Sequence, residues 1–219
     1  MRLESAIEAQ ERLRRASIVF WDFDGVIKDS VTVKSDAFEQ LFMPYGGELA
    51  RRVRQHHEAN GGVSRYEKIP TYLAWAGEPA SSERVAEVCA AFSRLVWDAV
   101  INSPWVPGVR EYLQRYYTHQ RFVLVTATPQ EEAQQILLAV ELAQYFQAVH
   151  GAPTTKSAAI RAVLGSARCD REEALMVGDS ESDLSAAEAN RVAFLLRCTP
   201  LNLPLQDRYS GPAFEGLEP

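Results

Sequence analysis

Cysteine is scarce in this 219-residue chain: Cys89, Cys169 and Cys198 stand far apart, with no C-x-x-C spacing. Three scattered thiols exclude a disulfide framework and predict reduced, packed side chains in a cytoplasmic protein. Long apolar runs are missing too. Nothing approaches the ~20 consecutive apolar residues of a membrane helix, and the Glu- and Arg-rich start, residues 1–16, lacks the apolar stretch of a signal peptide. Positive charge is not in excess: the formal net charge is −6, which leaves no electrostatic footprint for nucleic acid or an anionic membrane. Internal repeats and low-complexity segments are absent, and composition implies no particular oligomeric state. What remains is an ordinary globular balance, 47% apolar and 24% charged. The length suits one domain, or a core with a smaller insert. An acidic protein of this kind can still bind a phosphorylated substrate if a metal and a few basic groups focus positive potential locally.

Three short apolar runs stand out: Ile18-Val19-Phe20-Trp21 leading into Asp22, Phe122-Val123-Leu124-Val125 leading into Thr126, and Ala174-Leu175-Met176-Val177 leading into Gly178-Asp179. Continuous apolar runs of this length and β-branched content predict strands buried on both faces, as in a parallel sheet. Further strands are expected at residues 192–196 and 148–150. Helical patterns at residues 108–117, 131–142, 156–164 and 184–190 alternate with them, the first two opening just after Pro107 and Pro129. The alternation predicts β-α-β units, hence an α/β fold with a doubly wound, Rossmann-like parallel sheet. The proline-bearing tail after Cys198 is expected to be irregular. The interval 30–103 is far longer than a βα connection and carries four amphipathic helical patterns of its own. It reads as an inserted α-helical subdomain, with residues 1–29 and 104–219 forming the core.

In an open parallel sheet, ligands bind outside the carboxyl ends of the strands. That rule collects Asp22, Asp24, Thr126 and Asp179 at one edge, although they span most of the sequence. Any one of these clusters alone would be an ordinary turn. Three strand ends bearing oxygen ligands together point to a site.

The segment D-F-D-G-V-I-K-D-S from Asp22 to Ser30 resembles the first motif of the haloacid dehalogenase-like superfamily. Thr126 is similar to its second motif, Lys156 to its third, and G-D-S-E-S-D from Gly178 to Asp183 to its fourth. The resemblance implies a Mg²⁺-dependent phosphatase whose nucleophile, Asp22, forms an aspartyl-phosphate. It implies Mg²⁺ held by Asp22, Asp179 and the backbone carbonyl of Asp24, because a carboxylate approaching a phosphate needs a cation between them. Asp24 would serve as general acid and then base. Thr126 and Lys156 would hold the phosphoryl oxygens, and Asp183 would orient Lys156 or a metal-bound water from behind. Two plainer readings stand beside these: Thr154-Thr155 can cap a helix at Lys156, and Asp183 can complement a helix N-terminus.

Within the insert, N-G-G-V-S-R at residues 60–65 resembles the specificity loop of the β-phosphoglucomutase-like branch. It makes Arg65 the candidate for a substrate phosphate or carboxylate, with Tyr66 and Lys68 behind it. The plainer alternative is a glycine turn with a capping Ser64 and a solvated Arg65. Lys28 and the His56-His57 pair are expected on the surface, and Thr128 is expected only to cap the next helix. The substrate is expected to be a small phosphorylated metabolite such as a sugar phosphate, with a phosphosugar mutase as the competing activity.

Overall fold

The computed structural model describes residues 3–166 and 171–217. Its first strand, β1 (Ile18–Trp21), is buried at all four positions, which is why it appears in the sequence as an unbroken apolar run. Parallel partners flank it: Trp21 lies opposite Leu124 of β2 (Arg121–Pro129) and Val177 of β4 (Ala174–Gly178). With β3 (Ala148–Ala152), β5 (Ala193–Arg197) and β6 (Ala213–Phe214), they form a six-stranded, all-parallel sheet in the order β3-β2-β1-β4-β5-β6. The expected doubly wound α/β architecture is therefore present. The chain runs outward from β1 to β3, then returns to β4 on the other side of β1. This order places the topological switch between β1 and β4, where a crevice opens at the carboxyl ends.

Alternation along β1 divides the core into two layers. Val19 and Trp21 pack with α1 (Leu3–Arg15), α6 (Val109–Tyr116) and α7 (Gln130–Ala139) through Leu13, Leu113 and Ile136. Ile18 and Phe20 pack with α8 (Lys156–Ser166) and α9 (Glu181–Asn190) through Ile160, Val163 and Ala187. Burying both faces is what a sheet covered by crossover helices requires.

Four helices lie between β1 and α6: α2 (Val31–Phe42), α3 (Gly47–Ala59), α4 (Arg65–Trp75) and α5 (Ser82–Asn102). Ser64 and Ser81 start the last two, their hydroxyls accepting from the Tyr66 and Arg84 amides. Phe38, Phe42, Tyr72 and Phe92 form the aromatic interior of this layer, with Phe38 and Phe92 ring centres 4.0 Å apart. The two chain segments leading into and out of it are joined by hydrogen bonds, Asp29 N to Pro104 O and Val106 N to Ile27 O.

The tail differs from its expected irregular form. It contains α10 (Leu203–Arg208) and the short β6, which extends the sheet through Ala213 opposite Leu196 and Phe214 opposite Arg197. Two residues are too few to carry a period-two signal, and it is the burial of Leu205 and Phe214 that holds this segment. Cys89 is buried and Cys198 half-buried, both as free thiols; Cys169 lies outside the described residues.

Candidate active site

Asp22 leaves the end of β1 with its amide bonded to Val177 O. Its carboxylate accepts from the Phe23 amide at 2.7 Å and from Lys156 Nζ at 2.7 Å. Lys156 starts α8, where Thr155 Oγ1 also accepts from the Ala158 amide, so the expected cap and the inward-pointing lysine coexist. The same ammonium donates to Asp183 Oδ1 at 2.5 Å. Asp183 in turn accepts from the Ser180 amide and hydroxyl, closing a capping box at the start of α9. Asp183 thus caps a helix and accepts from Lys156 with the same carboxylate.

Carboxylate oxygens of Asp22, Asp179 and Asp183 lie within 4.8 Å of one another, all three residues buried. They are not equivalent. Asp183 has both oxygens engaged, whereas the Asp179 carboxylate accepts no hydrogen bond from the described residues. A buried carboxylate without a donor is costly unless a cation completes it. Asp22 and Asp179 therefore fit a divalent cation, with Asp183 behind them. Asp24 belongs to the expected ligand set through its backbone carbonyl; its carboxylate is turned elsewhere, accepting from Ser30 Oγ, Lys34 Nζ and Thr128 Oγ1.

The charges follow from burial. Desolvation pushes Asp22 up to about 7 despite the opposing Lys156, with Asp183 and Asp24 adding to the rise. Asp179 is raised well above the usual carboxylate value by burial and by the negative charge of Asp22 and Asp183. Burial would also raise Asp24, but the charge and hydrogen bond of Lys34, with the Ser30 bond, overcome it and leave the group below its ordinary value. Lys156 goes the same way in reverse: burial lowers it, and Asp183 and Asp22 more than restore its charge.

Asp22, Asp24, Thr126 and Asp179 line one cavity beneath the insert, and Arg65 and Lys68 line it from the other side. Lys156 sits beside Thr126 on the adjoining groove. Arg65 is neither free nor solvated: both terminal nitrogens bind Glu132 of α7, at 2.9 and 2.7 Å, and one also donates to Ser93. Lys28, expected on the surface, is buried against Trp105 and donates to Ile101 O. His57 is likewise buried, bonded to Lys68 and packed on Phe38. Tyr66 is exposed. Thr128 does not cap α7, whose N-cap position is Pro129 with no side-chain cap; it binds Lys34 instead.

Lys34 is the residue that the sequence reading overlooks. The available signal was its position four residues before Phe38, which puts a charge on the buried stripe of α2. His57 gave the same signal, four residues after the buried Val53.

A family model for haloacid dehalogenase-like hydrolases matches residues 19–196. A phosphoglycolate phosphatase of Photorhabdus laumondii is 26% identical over 188 residues, covering 83% of this chain and 80% of that protein. A phosphorylated carbohydrates phosphatase of Thermotoga maritima is 26% identical over 183 residues, covering 78% and 80%. Among solved structures, a β-phosphoglucomutase of Clostridium difficile superposes with a TM-score of 0.68 at 17% identity, covering 86% of this chain and 87% of that one.

Proposed function

The chain belongs to the haloacid dehalogenase-like hydrolase family, and from that premise we propose that it is a cytoplasmic, Mg²⁺-dependent phosphatase hydrolysing a small phosphorylated metabolite, such as a sugar phosphate. The observation that carries this reading is the buried contact of Lys156 with Asp22 beside the donor-free carboxylate of Asp179. Relatives named for phosphoglycolate and for phosphorylated carbohydrates support a small substrate.

In this reading Asp22 attacks phosphorus, the bond to the leaving oxygen breaks, and an aspartyl-phosphate forms. Asp22 and Asp179, with the Asp24 carbonyl, would hold Mg²⁺, which supplies charge neutralisation between the two approaching anions. Thr126 and Lys156 steady the phosphoryl oxygens, and Asp183 fixes the direction of Lys156. Asp24 protonates the leaving oxygen and later takes a proton from the attacking water. With Lys34 holding it ionised, Asp24 is prepared for the second of these roles. The first requires the Lys34 contact to yield as substrate enters. Helices α2–α5, within residues 30–103, act as a cap that excludes water over the core formed by residues 1–29 and 104–219.

The competing mutase reading drew on Arg65, and its engagement with Glu132 gives that reading no support. The test is chemical. With an aryl phosphate, EDTA should abolish turnover and Mg²⁺ restore it, with inorganic phosphate accumulating. Mass spectrometry of the trapped phosphoenzyme should place the phosphoryl group on Asp22 and find none in Asp22→Asn. Modification at any other residue, or full turnover without metal, overturns the mechanism.

A further inference from the structure

Four buried cations stand at the cavity and its adjoining groove, and three of them have an acid in direct contact. Lys34 is matched by Asp24, Arg65 by Glu132, and Lys156 by Asp22 and Asp183. Lys68 of α4 is the fourth. It is 3% exposed and lines the cavity, and its ammonium makes one hydrogen bond among the described residues, to His57 Nδ1 at 3.1 Å. Burial and the charge of Lys68 hold His57 well below its ordinary value, so the neutral ring accepts from the ammonium. Among the described residues, two of the three ammonium hydrogens have no partner.

A buried ammonium without a counter-charge is unfavourable. Burial, then Lys34 and Lys156, push Lys68 down to about 7 against the weaker pull of Glu67 and Asp24. Among the described residues, no acid contacts the ammonium directly. The cavity holds about 70 Å³, small beside the roughly 300–1,000 Å³ of common ligand pockets, so an anion here must lie a short way from the phosphoryl group at Asp22.

Building on the phosphatase reading, we infer that Lys68, steadied by His57, is the insert's binding site for a second anionic group, a carboxylate or a phosphate, carried by the leaving part of the substrate. Arg65, by contrast, already has its counter-charge in Glu132. The preferred substrates are therefore short phosphorylated compounds with a second negative charge, and neutral phosphorylated alcohols of equal length bind less well.

Binding of non-hydrolysable phosphonates by calorimetry, at saturating Mg²⁺, tests this without turnover. Propylphosphonate is the neutral arm, phosphonoacetate the carboxylate arm and 1,2-ethylenediphosphonate the second-phosphate arm. One charge-assisted hydrogen bond should favour at least one anionic arm by about 10- to 100-fold in wild type, and the better arm identifies the group. Lys68→Met should abolish the preference and Lys68→Arg retain most of it; Lys68→Gln replaces Lys68→Met if the latter does not fold. A wild-type ratio near one, or a ratio unchanged by Lys68→Met, overturns the assignment. Failure of the hydrolase reading looks different: the anionic preference is present, but aryl phosphate is not hydrolysed with Mg²⁺.

Discussion

Gly25 has φ near +76°, and a Cβ added there would lie 2.1 Å from Asp179 Oδ2. Two demands therefore coincide at one residue. The left-handed conformation costs an L-residue about 1–2 kcal/mol, and the close approach would push aside the carboxylate that has no donor of its own. Gly77 provides a control: its φ is near +74°, but a Cβ added there would meet nothing within 4 Å. Gly25→Ala should lower kcat/KM by about 100-fold, the scale expected of an ångström-sized displacement at a site, and weaken Mg²⁺ binding. Gly77→Ala should cost stability alone. Equal activity in both variants would show that Asp179 can shift without consequence.

At the scale of elements, the Arg65–Glu132 pair ties α4 to α7, and Ser93 of α5 joins it by donating to Glu132 at 2.6 Å. Both side chains are nearly buried, at 4% and 10% exposure. Removing one partner of such a pair strands the other's charge, at a cost of about 3–5 kcal/mol. Arg65→Met and Glu132→Leu should each show that loss in urea unfolding, while the double variant recovers much of it. Single losses below about 1 kcal/mol, as for an exposed pair, would mean that the insert stands away from α7 in solution.

Over the whole molecule, the raised carboxylates tie stability to pH and metal. Asp22 rises to about 7 in the folded state against an ordinary value of 3.8. Between these values the folded chain retains a proton that the unfolded chain releases. This contribution to stability is therefore present at low pH and is lost as pH rises toward 7. If Mg²⁺ binds as proposed, it has to displace such protons from Asp22 and Asp179, so its stabilising effect should grow with pH. Thermal unfolding from pH 5 to 8 should show an increase in Tm with Mg²⁺ that is small at the acid end and largest at the alkaline end. An increment independent of pH, or one retained in full by Asp22→Asn, contradicts that placement.

The strands were legible in the sequence because a strand buried on both faces must be apolar at every position, and Ile18–Trp21 and Ala174–Gly178 are. Their parallel order followed from the helices between them, and with it the convergence of Asp22, Thr126 and Asp179 at one edge. Local pattern decides these things, so local pattern reveals them. Partner choice across the fold leaves no such trace. Arg65 and Glu132 are 67 residues apart, and Lys34 and Thr128 are 94 apart; no period connects them. Nor does any pattern mark Lys28 as buried, since it lies between β1 and α2, outside any helical or strand periodicity. Local pattern therefore sufficed for β1 to β5 and for the carboxylates at their edge, but not for the two-residue β6. Which acid each buried cation faces was settled on folding, because a buried charge is defined by what the rest of the chain brings against it.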